Sequence, residues 1–130
     1  MENCIFCKIG RGEISHNRIY EDKDFVAFLD ANPVEKGHVL IIPKKHSIWM
    51  QEADDEIISG IFKLAKKIML SMKTGLGCDY VQVSVVGKDV PHFHVHLIPR
   101  HFSDNLHQSS IKKYEDGEEK EIMQKIISAL

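Results

Sequence analysis

The sequence predicts an α+β fold in which an antiparallel five-stranded sheet packs against one long central helix and a C-terminal helix. Five segments have the apolar or alternating pattern of strands, and they are joined by hairpin turns where strand–helix alternation would indicate a parallel sheet. Two other segments repeat apolar residues at helical spacing. The 130 residues suffice for a single domain, which we expect to have its core in 1–100 and a terminal loop and helix in 101–130.

The first predicted elements are a short helix and a hairpin. CIFCKIGRG (4–12) ends at glycines and is expected to form a short helix or helical turn. RIYED (18–22) and FVAFLD (25–30) alternate well enough to pair as a hairpin. The loop ANPVEKG then leads into HVLIIP (38–43), whose continuous apolar run is typical of a buried strand.

The long helix is expected to run from its N-cap Asp54 to Thr74 and to be closed by Gly75. Its apolar residues form one stripe, and lysines cover the opposite side. The stripe consists of Ile57, Ile58, Ile61, Leu64, Ala65, Ile68 and Met72. We interpret this stripe as core packing, because helices of globular domains bury such a face.

The last part of the chain supplies two strands and a helix. DYVQVSVV (79–86) alternates, and residues 87–91 turn the chain into a final strand, HFHVHLIPR (92–100). Residues 101–114 are expected to form a loop. EEKEIMQKIISAL should then form the C-terminal helix. Its apolar side consists of Ile122, Ile126, Ile127 and Leu130.

Composition and charge favour a small globular protein of the cytoplasm. The net charge of −2, from 17 basic and 19 acidic residues, gives no support for a broad nucleic-acid or membrane surface. The first residues lack the long apolar segment of a signal peptide, and no run approaches membrane-spanning length. Three cysteines, an odd number, argue against a disulfide scaffold and favour a reducing compartment. We therefore expect neither a nucleic-acid partner nor a membrane partner.

Histidine is the unusual residue, with eight in the chain and three at alternate positions in one segment. Alternation places His92, His94 and His96 on one face of a strand and Phe93 and Val95 on the other. Three packed imidazoles each need hydrogen-bond partners and would repel one another if protonated, which disfavours a purely structural role. Zinc is a rival to an anionic ligand, but three ligands spaced along one strand span too far for all to reach one ion. Other elements must therefore contribute to the site.

Three motifs in order, CIFCKI, FVAFLDANPVEKGHVLIIPKKH and VPHFHVHLIPR, resemble the histidine triad (HIT) family of nucleotide hydrolases and transferases, in its small bacterial-type branch. The resemblance implies a HIT-like fold and hydrolysis of nucleoside 5′-phosphate derivatives. It implies that His94 attacks the α-phosphorus and forms a covalent nucleotidyl-histidine, from which water releases a nucleoside monophosphate, with AMP expected. Phosphoramidates, adenylates and dinucleoside polyphosphates all fit. His96 then matches a hydrogen-bond donor to the phosphate, and His38 matches the fourth histidine of such sites.

The same resemblance implies a pocket for a purine nucleotide. Asp30 matches the acidic residue that accepts hydrogen bonds from the ribose hydroxyls. The base would lie between apolar residues that otherwise have the character of ordinary core, namely Ile5, Phe6, Ile9 and Phe28. The chain departs from the family in having Lys88 and Asp89 where glutamine and then serine or threonine are frequent. We expect Lys88 to offer positive charge to the phosphate and Asp89 to disfavour a second anion.

The Cys4-x-x-Cys7 pair has three interpretations: a redox pair, two buried cysteines, or zinc ligands. A redox pair of the thioredoxin type would need a preceding strand and a βαβ context, which the sequence does not predict. Zinc is favoured because the spacing suits two thiolates on a turn and histidines are available. The resemblance implies His46 and His92 as the other ligands of one structural zinc per chain, with no organic cofactor. Cys78 is expected in the core.

Two further classes of function remain open at this stage. A nucleotide-binding regulatory protein would keep the pocket and act through partners, and a nucleotidyltransferase would pass the nucleotide to a second substrate. We also expect a homodimer, from the resemblance and because the helix over 54–74 and the adjoining strands offer apolar surface.

Overall fold

One antiparallel sheet of five strands, in the order β1-β2-β3-β5-β4, organises the chain. The computed structural model describes residues 3–106 and 111–130. Its strands are β1 (Arg18–Glu21), β2 (Phe25–Leu29), β3 (Val39–Pro43), β4 (Tyr80–Ser84) and β5 (Val95–Arg100). Its helices are α1 (Ile5–Gly10), α2 (Asp55–Leu76) and α3 (Glu118–Ser128), with a 3₁₀ turn over Met50–Glu52. The predicted α+β class and the five-stranded antiparallel sheet are confirmed.

Both faces of the central strands are covered, which explains why their sequences are apolar throughout. Every residue of β2 and β3 is buried. Alternate residues such as Ala27 and Ile41 belong to the larger core, together with buried residues of α2 and α3. The intervening residues, such as Phe28 and Leu40, join a smaller core that contains Phe6 of α1. The sheet therefore has a helical core on one face and the short α1 on the other.

The long helix α2 continues further than its sequence predicts. It ends at Leu76, and Gly77 adopts the left-handed conformation (φ 69°) with its N–H donating to the Lys73 carbonyl oxygen. The predicted end at Thr74 and Gly75 is therefore wrong. A Cβ atom on Gly75 would collide with the Lys125 carbonyl oxygen of α3. The glycine lets two helices approach closely, and the cap comes two residues later.

The N-cap of α2 is at the predicted position, but it is not held by its own side chain. Asp54 has the extended conformation of an N-cap residue, yet its carboxylate makes no capping hydrogen bond. That carboxylate instead accepts from Lys45 Nζ at 2.6 Å. Most of the predicted apolar stripe of the helix is buried in the larger core, including Ile61, Ile68 and Met72.

The histidine segment is only partly a strand. β5 begins at Val95, so His92 and His94 lie on the extended segment that leads into it. The predicted alternation of faces nevertheless holds, because Phe93 and Val95 lie in the larger core. The rings of His92 and His94 instead contact Phe6 of α1, on the opposite face.

The C-terminal part agrees with prediction in its helix and in most of its apolar side. Ile122 and Ile126 are buried in α3, Ile127 is half-buried, and Leu130 is exposed. The predicted loop over 101–114 contains no regular helix or strand in its described residues, and 107–110 lie outside them. Among the described residues, no helix combines the length and apolar character needed to cross a bilayer.

Candidate functional site

A cavity of about 700 Å³ opens on the α1 face of the sheet. Its lining includes nine of the residues singled out in the sequence, which are Ile5, Phe6, Ile9, Phe28, Asp30, His38, Asp89, His94 and His96. One wall is apolar, and Phe6 and Phe28 meet edge to face there with centroids 5.7 Å apart. The other wall carries three imidazoles and a carboxylate. A ligand with a flat apolar part and an anionic part would match both walls.

His94 has a defined tautomer. Its Nδ1 lies 2.7 Å from the main-chain oxygen of His92, and a carbonyl oxygen only accepts hydrogen bonds. Nδ1 therefore carries a proton, and in the neutral ring the lone pair lies on Nε2. The ring is buried, 4% exposed, and stands edge-on to Phe6 at 5.0 Å between centroids. His94 thus has a fixed orientation in which Nε2 of a neutral imidazole could act as a nucleophile.

His38 fixes the opposite tautomer in His96. The Val34 N–H donates to His38 Nδ1 at 3.2 Å, so neutral His38 carries its proton on Nε2. That Nε2 lies 3.0 Å from His96 Nδ1 and donates to it. His96 must then hold its own proton on Nε2. The two histidines therefore form a directed chain that ends in an N–H donor, next to the ring of His94 at 4.8 Å between centroids.

His38 and His96 both stay neutral at ordinary pH. Burial lowers the pKa of His38 to about 3, and the charges of His96 and Arg100 act in the same direction. Burial also lowers the pKa of His96 to about 4, with His94 acting in the same direction and Asp89 opposing it. Neutral imidazoles are what the chain of donors and acceptors requires.

Asp30 lies at the end of β2, beside His38. Its Oδ1 accepts from the Asn32 N–H at 2.9 Å, and its Oδ2 is 3.7 Å from His38 Nε2. Burial raises the pKa of this carboxyl, while the Asn32 N–H and the histidines His16 and His94 act against the rise. The carboxylate lines the cavity and offers acceptors for ligand hydroxyls.

A second group of side chains converges beside the cavity: Cys4, Cys7, His46 and His92, whose ligand atoms all lie within 4.8 Å of one another. The sulfur–nitrogen distances are 3.3 Å for Cys4–His92, 3.2 Å for Cys7–His46 and 3.5 Å for Cys7–His92, and the two Nδ1 atoms are 3.2 Å apart. Tetrahedral zinc with ordinary bond lengths has ligand–ligand edges of about 3.3–3.6 Å.

The hydrogen bonding of this cluster also fits a cation. His92 Nε2 donates to the Pro43 carbonyl oxygen at 2.8 Å, so its Nδ1 presents a lone pair to the cluster. Burial, followed by the neighbouring Cys4, raises the pKa of the Cys7 thiol to about 11, so a metal ion has to displace that proton on binding. The set of donors, two sulfurs and two imidazole nitrogens, is the one that structural zinc prefers.

Comparison with known proteins identifies the family. The HIT domain matches residues 11–103. The chain belongs to the HIT family. Protein hit of Bacillus subtilis is 36% identical over 134 residues, covering 99% of this chain and 92% of that protein. The adenosine 5′-monophosphoramidase of Saccharomyces cerevisiae is 37% identical over 102 residues, covering 75% of this chain and 62% of that protein. The resemblance in the sequence is therefore confirmed.

Solved structures of the HIT family share this fold. A zinc-bound histidine triad family protein from Mycobacterium smegmatis superposes with a TM-score of 0.87 at 28% identity, covering 98% of this chain and 93% of that one. That protein, by its description, binds zinc. The Cys4, Cys7, His46 and His92 cluster of this chain is compatible with the same metal.

Two expectations drawn from the HIT pattern find different placements in the structure. Lys88 is exposed and is not part of the cavity lining, so the structure does not bring it to the site. Asp89, its neighbour, lines the cavity. His92, the first histidine of the triad, points to the cysteine cluster, and only its main-chain oxygen reaches His94.

Sequence reasoning missed a polar row along the far side of the cavity. Arg100 Nε donates to Gln82 Oε1 at 2.9 Å, and Gln82 Nε2 donates to Ser84 Oγ at 3.0 Å. All three line the cavity. Ser84 pairs with His96 across β4 and β5, so the alternation of β4 could have indicated that Gln82 and Ser84 share the histidine face.

His16 was also missed, because it lies in a loop without a periodic pattern. Its Nε2 lies 2.9 Å from the Leu29 carbonyl oxygen, and its ring stands edge-on to Phe28 at 4.6 Å between centroids. It lines the apolar end of the cavity together with Phe28 and Ile9. No signal in the sequence pointed to it.

Proposed function

We propose that this HIT protein hydrolyses nucleoside 5′-phosphate derivatives through a covalent intermediate on His94 and releases a nucleoside monophosphate, with AMP as the expected product. The observation that carries the proposal is the bond from His94 Nδ1–H to the His92 carbonyl oxygen, which leaves the Nε2 lone pair for the cavity. A neutral imidazole is a competent nucleophile at pH 7 without further activation.

The first step forms one bond and breaks one bond at the α-phosphorus. His94 Nε2 attacks, the phosphorus–nitrogen bond to the imidazole forms, and the leaving group departs with its bonding electrons and a proton from solvent. The His92 carbonyl oxygen faces the positive charge that develops on the His94 ring. His96, held as an Nε2–H donor by His38, stabilises negative charge on the phosphate oxygens.

The second step restores the enzyme. Water attacks the same phosphorus, and the bond to His94 Nε2 breaks. The attacking water releases a proton to solvent, which balances the proton that the leaving group took up in the first step. The net reaction adds one water across the bond between the phosphate and the leaving group. The tautomers of His38, His94 and His96 are the same at the end as at the start, so no residue needs a separate reset.

The cavity has matching places for the nucleoside. We propose that the base lies on the apolar wall of Phe6, Ile9 and Phe28, and that Asp30 accepts from the ribose hydroxyls. The yeast relative is named for adenosine 5′-monophosphoramidase activity, which supports adenosine and the phosphoramidate class of substrate. A phosphoramidate has a single phosphate, which agrees with an α-phosphate site of neutral imidazoles.

We also propose one structural zinc per chain, held by Cys4, Cys7, His46 and His92. Four protein ligands close the coordination sphere, so this metal would leave the chemistry to the protein. It would fix the position of His92, and the His92 main-chain oxygen orients the His94 ring. Its support is the ligand geometry and the zinc-bound relative from Mycobacterium smegmatis.

The decisive experiment measures turnover and the intermediate together. A fluorogenic adenosine phosphoramidate should be cleaved by the wild type, and rapid acid or base quenching followed by intact-protein mass spectrometry should detect the nucleotidyl adduct. His94→Asn should bind AMP but should neither turn over nor form the adduct. The matched control is His101→Asn, which removes an exposed imidazole outside the cavity lining. Turnover by His94→Asn within about tenfold of wild type would refute the proposal.

The same assay separates the two other classes of function. A regulatory nucleotide-binding protein would bind AMP and show no adduct and no turnover in the wild type. A nucleotidyltransferase would form the adduct but pass the nucleotide to added alcohols or amines in preference to water. Chromatography of the products in the presence of such acceptors distinguishes transfer from hydrolysis.

A further inference from the structure

Asp89 lies in the wall between two cavities. A second cavity, of about 390 Å³, lies beside the main cavity and shares part of its lining. The residues that line both are Ile5, Asp89 and Val90. The remaining lining of the second cavity is supplied by Asn3, Cys4, His46, Ile48 and Pro91. Because the two cavities share part of their lining, the second space adjoins the cavity that His94 lines.

Asp89 gives the second cavity its charge. Among the residues that the structure describes, the lining contains no lysine or arginine, and Asp89 is its single carboxylate. Within the part of the chain that the structure describes, Asp89 takes part in no ion pair, and Lys88 beside it lies outside both linings. Burial lowers the pKa of His96 and Asp89 opposes that change, so the negative charge of Asp89 extends to the phosphate site.

Among the described residues, the main cavity is lined by one arginine, Arg100, and by no lysine. Arg100 occupies the last position of β5, whereas Asp89 precedes the histidine segment. The guanidinium is already engaged, because its Nε donates to Gln82 and its Nη1 is 3.7 Å from the Asp104 carboxylate. In the described part of the chain, Arg100 therefore makes no ion pair with Asp89.

The loop that carries Asp89 is anchored on both sides. Gly87 has φ 74° and is buried against Trp49, where a Cβ atom would come within 3.1 Å of the indole ring. After the loop, the His92 N–H donates to the Val90 carbonyl oxygen at 2.8 Å, and the Phe93 N–H donates to the Ser47 carbonyl oxygen at 2.7 Å. These contacts hold the main chain on both sides of Asp89, which lines both cavities.

We propose that Asp89 selects the leaving group by charge, so that the released half of the substrate is an amine carrying a positive charge or none, and is not a phosphate chain. The inference rests on the proposed hydrolysis at His94 and adds the chemistry of the other half of the substrate. A unit charge about 7 Å from Asp89 in a water-like medium changes binding by about threefold, with opposite signs for an ammonium and a carboxylate.

The test uses three adenosine 5′-phosphoramidates whose nitrogen substituents have equal length and end in an ammonium, a hydroxyl or a carboxylate. In the wild type, kcat/KM should fall in that order, by about threefold at each step, and high salt should reduce the differences between the three values. Asp89→Asn should bring the three values to within about twofold of one another. Asp24→Asn is the matched control, since it removes an equal charge from an exposed turn outside both linings and should keep the order.

Each outcome of this test bears on the inference. Equal rates for the three compounds in the wild type, a preference for the carboxylate, or an order that survives in Asp89→Asn would each overturn the selection by Asp89 while leaving hydrolysis intact. Absence of turnover for all three would refute the proposed function and the inference with it. Faster hydrolysis of a diadenosine polyphosphate than of the ammonium compound would also overturn the selection.

Discussion

Acidification from about pH 7.5 to about pH 5.5 should lower the free energy of unfolding by about 2–3 kcal/mol through two buried histidines. In the folded chain, burial lowers the pKa of His38 to about 3 and of His96 to about 4. In the unfolded chain each imidazole titrates near its ordinary pKa of about 6.5. Below about pH 6.5 the two imidazoles are protonated in the unfolded chain but stay unprotonated in the folded chain. The stability that is present above pH 6.5 is therefore lost as the pH falls toward the folded pKa values.

The magnitude follows from the distance between these pKa values and the pH of the measurement. At about one pH unit below 6.5, each histidine that stays neutral in the fold contributes about 1.4 kcal/mol of destabilisation. Two such groups give the stated sum. Burial raises the pKa of Asp30, which acts with the opposite sign, and Asp30 is present in both proteins that are compared below.

Urea unfolding at a series of pH values measures this effect. The comparison is the double variant His38→Gln/His96→Gln, because glutamine cannot titrate but keeps a donor and an acceptor. Both proteins keep the cysteine cluster, so any loss of metal on acidification is common to them. The wild type should lose about 2–3 kcal/mol more than the variant between the two pH values. Parallel curves for the two proteins would refute the assignment of neutral buried imidazoles.

Three other predictions concern the ribose contact, the metal and the assembly. Asp30→Ala should weaken binding of ribonucleotides with little change in stability, and it should reduce the discrimination against 2′,3′-dideoxy analogues; equal discrimination in wild type and variant would contradict the ribose contact. The wild type should carry about one zinc per chain by elemental analysis, and Cys4→Ser should lose metal, stability and, through His92, activity; full zinc in the variant would show a different ligand set. The protein should scatter light as a homodimer at micromolar concentration, because the edge strand β4 exposes Val83, the residues Val85 and Val86 that follow it are exposed, and Leu70 of α2 is 63% exposed; a monomer would contradict this.

The strands were predictable because a strand that is buried on both faces has a continuous run of apolar residues in the sequence. FVAFL and VLIIP are apolar throughout since helices cover both faces of β2 and β3. The end of α2 was not predictable in the same way. A glycine at position 75 is typical of a helix end, but in the structure it lets α3 approach α2 closely. That contact joins residues 50 positions apart in the chain. Local pattern cannot separate these two uses of glycine.

The site was predictable in its ring positions and less so in its walls. Alternation at 92, 94 and 96 places three rings on one face, as the structure has them. Gln82, Ser84 and Arg100 join the site through the pairing of β4 with β5, a register that no short motif encodes. Their part in the cavity therefore needed the three-dimensional arrangement.

Three histidines of one motif acquire different chemistry because different main-chain groups hold them. The Pro43 oxygen takes the Nε2–H of His92 and leaves Nδ1 for the cysteine cluster. The His92 oxygen accepts the Nδ1–H of His94 and leaves Nε2 for the proposed attack. His96 is set by His38, whose tautomer is fixed by the N–H of Val34. A side chain that can donate from either nitrogen takes its role from the backbone group it meets. The proposed metal site and the proposed nucleophile are therefore coupled, since the residue that the metal would hold supplies the oxygen that orients His94.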